Sequence, residues 1–164
     1  MCDQVSATAI PKRTSTTILA GTINTNVNAL TTVVNNYEGE VLQLLPLTVA
    51  VTALDASIKV AVTDASTISS LSPADSSLIY TGFLNLVSPI QQSLAAVVAK
   101  KAEFAAAGLI KTVIGNLVTL KEDAADTLSQ NIYKIASSDV KPKLVVVYSG
   151  IDFAFTAAQD MLLL

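Results

Sequence analysis

One long stretch, from Ser72 to Gly108, constrains the fold more than any other part of the chain. Its apolar residues recur at steps of three and four, which places them on one face of an α-helix. Ser72 can cap this helix, Pro73 suits its first turn, and Gly108 follows its predicted end. Pro89 lies inside the stretch and is expected to kink or split the helix. A helix of this length needs apolar partners along its whole face, so the rest of the chain should supply further helices.

Four other segments show the same helical spacing of apolar residues, over residues 15–37, 40–68, 109–136 and 141–164. Gly39 separates the first two segments, because glycine readily adopts a positive φ. The β-branched run over residues 48–52 is also compatible with a strand, but the helical spacing continues for more than two turns beyond it. These segments predict an all-α fold, a five-helix up-and-down bundle. We expect residues 1–14 to form a flexible N-terminal arm and residues 15–164 to form one helical domain.

The composition argues against several classes of function. Charged residues make up 14% of the chain and the ten basic residues are scattered, so we expect no binding to nucleic acid. The chain has no histidine and its single cysteine, Cys2, lies near the terminus, which removes the usual general base, metal ligands and thiol nucleophile. Carboxylates such as Glu38 and Asp123 could form an acid pair, but helix-end and surface charges are the commoner explanation. We therefore predict that the protein is not an enzyme and uses no cofactor or metal.

The hydrophobic content is high, at 51% of the residues, yet no uninterrupted run of 18 apolar residues occurs. We therefore expect no transmembrane segment in this chain. The apolar helix faces can either pack into a solid core or enclose a chamber for an apolar ligand, and spacing alone does not separate these two cases. The scarcity of aromatic rings and the presence of Pro46 and Pro89 in the central helices favour a chamber. The oligomeric state stays open at this point.

Four short motifs follow one another in a characteristic order: N-N-Y-E-G-E over residues 35–40, L-L-P-L over residues 44–47, L-S-P-A-D-S over residues 71–76, and K-K-A-E-F-A-A-A-G over residues 100–108. In this order the chain resembles the fungal hydrophobic surface-binding protein A family, which includes cell-wall galactomannoproteins. The resemblance extends from about Thr14 to Leu162. It departs at Glu40, where the family pattern has a second glycine after Gly39.

The resemblance implies a secreted or cell-wall mannoprotein domain of five helices with an elongated central apolar cavity. It implies a tunnel that takes long-chain fatty acids of the palmitate or arachidonate type. In pathogenic fungi such domains resemble virulence factors, glycoprotein antigens that capture host signalling lipids. An alternative role that the family name implies is adhesion, by adsorption of the protein to hydrophobic surfaces.

Lipid capture is physically reasonable for such helices, because each methylene removed from water contributes about 0.8 kcal/mol. The carboxylate of the ligand would still need hydrogen bonds. Ser57, Gln91 and Tyr148 border the apolar faces and are our candidates for that contact. The predicted wall of the tunnel consists of Leu30, Val34, Leu54, Ile58, Ile79, Phe83, Leu86, Ile90, Leu94, Ile114, Leu117, Leu128, Ile132, Val147, Ile151 and Phe155.

Overall fold

The computed structural model describes residues 20–164, and within that range every regular element is helical. The elements are α1 (residues 20–35), a 3-10 turn (Val41–Gln43), α2 (Leu44–Ser66), α3 (Pro73–Ala99), α4 (Lys101–Ala106), α5 (Ile110–Val118), a π-helical segment (Thr119–Asp126), α6 (Thr127–Ile135) and α7 (Lys141–Leu163). The all-α prediction is therefore confirmed for the described residues. The predicted arm over residues 1–14 lies outside them, and so do the first residues of the predicted first helix.

Local signals in the sequence set several of the helix ends. The Ser72 hydroxyl accepts a hydrogen bond from the Asp75 backbone N–H at 3.1 Å, and Pro73 occupies the first turn of α3, as predicted. Gly39 and Gly108 have φ values of +93° and +71°, in the left-handed region that favours glycine. Both glycines lie between helices, so the predicted breaks at these two positions are confirmed.

The predicted third helix is divided differently from our expectation. Pro89 does not split it, since α3 continues through that residue to Ala99. The break comes at Lys100, whose φ of −94° and ψ of 15° leave the helical region, and the short α4 follows. Helix α4 places Phe104, which is buried, in a stacked arrangement with Tyr37 at a ring-centroid distance of 4.9 Å. Helix α4, which follows the break, thus carries one ring of a buried aromatic pair.

The predicted fourth helix contains a π-helical segment over Thr119–Asp126, flanked by α5 and α6. A π-helix bonds each carbonyl to the residue five positions ahead, so residues five apart come to lie on the same face. The regular spacing of the sequence did not predict this insertion. Leu120 and Ala124 of this segment are nevertheless buried, on the apolar face that the spacing of the sequence shows.

In the core, α3 packs on α7, α2 packs on α6 and on the π-helical segment, and α1 contributes buried apolar residues. Two hydrogen bonds tie the start of α3 and the connection before it to the end of α6. The Leu71 backbone N–H donates to the Ile135 carbonyl at 2.8 Å, and the Ser137 backbone N–H donates to the buried Ser76 hydroxyl, also at 2.8 Å. These bonds fasten the start of α3 to the end of α6.

Two helical stretches, Val41–Ser66 and Pro73–Ala99, are long and apolar enough to cross a membrane by length and composition alone. Core helices of proteins that never enter a membrane pass the same test, so the expectation of no transmembrane segment remains a prediction. Less than a third of the most apolar window of each stretch is buried inside the molecule. Large apolar side chains therefore remain on the surface, above all Val41, Leu42 and Leu45.

Candidate functional site

The candidate site is a small apolar cavity of about 50 Å³ that lies between the long helices. Residues from α1, α2, α3, the π-helical segment, α6 and α7 line it, so it sits where most elements of the bundle converge. Its lining consists of Ile23, Val27, Leu54, Ile58, Phe83, Leu86, Ile90, Leu120, Ala125, Leu128, Ser129, Tyr148, Ile151 and Phe155.

The helical spacing of the sequence brings most of this lining together. In α7, Tyr148, Ile151 and Phe155 follow one another at steps of three and four and share one face. Helix α2 contributes Leu54 and Ile58 by the same spacing. Periodicity of this kind is visible in the sequence, so this part of the wall could be predicted.

The π-helical segment supplies Leu120, which lies on the apolar face that the sequence shows, and Ala125, which periodicity does not predict. Leu120 and Ala125 both line the cavity although they are five residues apart. In an α-helix two such residues would point in clearly different directions, whereas the wider π turn aligns them. Single π turns inside α-helices are found frequently at functional sites. The insertion therefore shapes one wall of the cavity.

Tyr148 is the notable polar group of the lining. Its ring meets the ring of Phe83 edge to face, with centroids 5.5 Å apart. Its hydroxyl is buried and has no hydrogen-bond partner among the described residues. Burial raises the pKa of Tyr148 above its usual range, so the hydroxyl is uncharged at any physiological pH. An unpaired buried hydroxyl costs about 1–3 kcal/mol, which a bound polar group could recover.

The second polar residue of the lining, Ser129, has its proton already engaged. The Ser129 hydroxyl donates to the Ala125 carbonyl at 2.7 Å, one turn back along the chain. Its oxygen lone pairs can still accept a hydrogen bond. The cavity therefore offers a free donor from Tyr148 and an acceptor from Ser129 in otherwise apolar surroundings.

Two ion-pair groups lie next to lining residues in the chain. Lys121, which follows Leu120, contacts Asp152 of α7 at 2.8 Å and Asp126 at 3.8 Å. The hydrogen bond to Asp152 raises the pKa of Lys121, and partial burial raises the pKa of Asp126. The contact between Lys121 and Asp152 fastens the π-helical segment to α7 next to the lining residues Leu120 and Ile151.

A second ion pair on α2 involves residues next to lining residues in the chain. Lys59, which follows Ile58, contacts Asp55 at 2.7 Å, and this hydrogen bond raises the pKa of Lys59. No group of three or more possible metal ligands occurs within residues 20–164.

The structure brings together part of the predicted site. The predicted residues at the cavity are Leu54, Ile58, Phe83, Leu86, Ile90, Leu128, Tyr148, Ile151 and Phe155. Those buried elsewhere in the core are Leu30, Val34, Ser57, Ile79, Leu94, Leu117, Ile132 and Val147. Ile114 is partly buried and Gln91 is exposed. Of the three candidates for the head-group contact, only Tyr148 therefore lines the cavity, and the Ser57 hydroxyl donates instead to the Leu54 carbonyl at 2.7 Å.

Five lining residues were not predicted as wall residues: Ile23, Val27, Leu120, Ala125 and Ser129. The first three belong to the apolar helix faces that the sequence shows, so a signal for them was present. Ala125 and Ser129 had no such signal, because a small residue and a hydroxyl do not stand out in the apolar pattern.

The cavity differs in size from the elongated one that the resemblance implies. Ligand pockets in proteins usually enclose about 300–1,000 Å³, whereas this cavity has about 50 Å³. It is too small to hold a whole long acyl chain in this conformation.

Several known proteins are similar to this chain. The sequence profile of the family described as "Hydrophobic surface binding protein A" matches residues 17–133. A crystal structure of AFMP4P in complex with palmitic acid has 32% sequence identity and a TM-score of 0.88, and the match covers 92% of this chain and 99% of that one. A search of curated protein sequences finds no match to this chain.

Two further structures have the same fold. Ligand binding domain 1 of the Penicillium marneffei MP1 protein, complexed with arachidonic acids, is 15% identical with a TM-score of 0.80, covering 88% of this chain and 93% of that one. Ligand binding domain 2 of the same protein, complexed with multiple arachidonic acids, is 18% identical with a TM-score of 0.80, covering 88% and 91%. With the profile match over most of its length, this chain belongs to the hydrophobic surface binding protein A family.

Proposed function

We propose that this protein binds long-chain fatty acids, of the palmitate or arachidonate type, between its helices and that it does so without enzymatic turnover. The observation that carries the proposal is the apolar cavity lined by six elements, in a chain that matches the palmitic acid complex of AFMP4P over 92% of its length. Burial of an acyl chain supplies enough free energy on its own, at about 0.8 kcal/mol per methylene.

Binding requires that the walls of the cavity move apart, because the present space of about 50 Å³ is far below the volume of a usual ligand pocket. The lining side chains meet through apolar contacts and one edge-to-face ring pair, Phe83 with Tyr148. Such contacts can be exchanged for contacts with an acyl chain at little net cost, since both are apolar. We propose that the Tyr148 hydroxyl, which lacks a partner among the described residues, contacts the head group.

The direct test is a binding measurement on protein freed of lipid by organic extraction. Mass spectrometry of the extract should find fatty acid, and the extracted protein should bind a fluorescent fatty acid with a saturable stoichiometry. Palmitic acid should displace the fluorescent ligand. An empty extract together with a titration that never saturates would contradict the proposal.

We further propose that the protein is a secreted or cell-wall mannoprotein of a fungus and that it acts as a virulence factor by capturing host signalling lipids. Membership of the family supports this proposal. Fractionation of the source cells tests it, with the protein expected in the medium or the wall fraction and carrying attached sugar. Recovery of the unglycosylated protein from the cytoplasm would contradict it.

A second candidate function, adsorption to hydrophobic surfaces, is favoured by the exposed apolar side chains of Val41, Leu42, Leu45 and Val49. They lie in the 3-10 turn and in the first turns of α2 that follow it, and Leu42 is 87% exposed. Adsorption through this cluster predicts that Leu42→Ser with Leu45→Ser lowers binding to a hydrophobic bead while saturable fatty acid binding is unchanged. Unchanged adsorption of the double variant would exclude the cluster as the contact surface.

A further inference from the structure

We propose that the cavity takes the head group of its ligand in an uncharged form, as a protonated carboxylic acid or a primary alcohol at the end of a single acyl chain. This inference rests on the proposed function, because it concerns the same cavity. It differs in naming the protonation state and therefore the class of lipid that binds best.

The first argument is the chemistry of the lining. Within residues 20–164 none of the lining residues carries a charge, and the polar atoms among their side chains are the hydroxyls of Ser129 and Tyr148. An ionised carboxylate buried without a charged partner is strongly destabilised, whereas a neutral acid or alcohol needs only its hydrogen bonds. Two hydroxyls suit a neutral head group much better than an anion.

The second argument is the charge of the residues that adjoin the lining residues in the chain. Of the residues directly beside lining residues in the chain, the basic ones are Lys59 and Lys121. Lys59 is already paired with Asp55 at 2.7 Å, and Lys121 with Asp152 at 2.8 Å.

By the same count three carboxylates lie directly beside lining residues, those of Asp55, Asp126 and Asp152, against the two lysines. Asp126 lies 3.8 Å from Lys121. Helices α1 and α3 place no charged residue beside their lining residues in the chain. Within residues 20–164, the lysines that adjoin the lining are therefore both paired with carboxylates and do not favour an anionic head group.

The third argument is the Tyr148 hydroxyl, which is buried without a partner. It can donate to the carbonyl oxygen of a protonated acid, or exchange a hydrogen bond with an alcohol. The Ser129 oxygen can accept a hydrogen bond from the O–H of either head group, because its own O–H donates to the Ala125 carbonyl. A neutral head group thus satisfies both hydroxyls without bringing a charge into the cavity.

The test compares palmitic acid with 1-hexadecanol, an alcohol of the same chain length, as competitors of a neutral fluorescent dye over a range of pH. The inside of the cavity favours the neutral acid, so the pKa of the bound carboxyl should rise above its free value of about 4–5. The affinity for palmitic acid should then be highest below the free pKa. It should fall by up to about tenfold per pH unit until the bound pKa is reached. The affinity for 1-hexadecanol should stay flat, which controls for titration of Asp126 and its neighbours.

A second readout follows the carboxyl group itself. The carbon-13 NMR signal of palmitic acid labelled at the carboxyl carbon reports whether the bound acid is protonated, and its midpoint should lie above that of the free acid. Tyr148→Phe should weaken binding of both lipids several-fold. Tyr133→Phe, which changes an exposed tyrosine on α6, should leave both unchanged, and circular dichroism verifies that each variant is folded.

The possible outcomes separate the two proposals. Binding of palmitic acid that is independent of pH, with a carboxyl signal that titrates like the free acid, would overturn the neutral head group and leave fatty acid binding intact. Failure of both lipids to bind at every pH would overturn the proposed function and this inference with it. A pH-dependent acid beside a pH-independent alcohol is the result that we expect.

Discussion

Filling the cavity from its π-helical wall should stabilise the protein and weaken lipid binding at once. Ala125 lines the cavity and is partly buried, so Ala125→Val would project two further methyl groups into the free space. An empty cavity costs about 24 cal/mol per Å³, which for about 50 Å³ gives up to about 1.2 kcal/mol. Burial of two carbons adds about 1.6 kcal/mol, and the lower helix propensity of valine subtracts about 0.6 kcal/mol. We therefore expect a gain of about 1–2 kcal/mol in the free energy of unfolding.

The adjacent residue supplies a matched control. Ala124 is fully buried, with 0% of its surface exposed, and does not line the cavity. Ala124→Val adds the same two methyl groups where no space exists, so it should cost about 1–3 kcal/mol through overpacking.

Urea unfolding followed by circular dichroism measures both changes in stability, and displacement of a fluorescent fatty acid measures palmitic acid affinity. Ala125→Val should lower that affinity by about tenfold, because the ligand must displace the newly buried methyl groups at a cost of about 1.4 kcal/mol. The reasoning would be refuted if both variants lost stability equally. It would also fail if Ala125→Val were more stable yet bound palmitic acid unchanged.

Three further predictions concern packing, capping and pH. Phe83→Trp should weaken fatty acid binding more than stability because Phe83 lines the cavity. Leu94→Trp should lower stability by about 1–3 kcal/mol with little effect on binding, because Leu94 is buried away from the cavity. Paired unfolding and binding curves test both variants, and equal losses in the two would contradict the assignment of Phe83 to the cavity wall and Leu94 to the packed core. Ser72→Ala removes the cap of α3 and should cost about 1 kcal/mol in urea unfolding, whereas an unchanged midpoint would show that the cap is dispensable. Burial raises the pKa of Asp126 in the folded state, so this carboxyl lowers stability as the pH rises from its pKa in the unfolded chain, about 4, through its pKa in the folded protein. Asp126→Asn should therefore be neutral or stabilising at pH 7 and should lose its effect below about pH 4. A variant that is less stable than the parent at pH 7 alone would contradict this sign.

The fold class was readable from the sequence because its signals are local. Apolar residues at helical spacing, the Ser72–Pro73 start and the two glycines between helices each act within one or two turns of chain. The β-branched run over residues 48–52 formed helix as predicted, with Ala50 buried and Val49 exposed. Such features need no knowledge of distant contacts.

The subdivisions of the helices were not readable, because they depend on contacts between distant residues. The break at Lys100 lets Phe104 stack on Tyr37, two residues that are far apart in the chain. The π-helical segment keeps Leu120 and Ala125 on one wall, while its Lys121 reaches Asp152 of α7. The local spacing around Phe104 and Lys121 does not predict their partners, Tyr37 and Asp152.

The site was predictable only in its apolar part. Periodicity identifies which residues face inward, but it does not tell a residue that borders free space from one that is packed on all sides. Leu86 lines the cavity and Leu94 does not, although both lie on the same predicted face of α3 and both are buried. That difference is decided by the side chains of the facing helices.

Native mass spectrometry of the lipid-free protein titrated with palmitic acid tests the central claim most directly. If the helices open to enclose an acyl chain, the spectrum should show the mass of the protein plus a small whole number of palmitic acid molecules, and that number should stop rising at higher ligand concentration. A spectrum of bare protein at every concentration, or adducts that accumulate without a plateau, would contradict enclosure of the lipid.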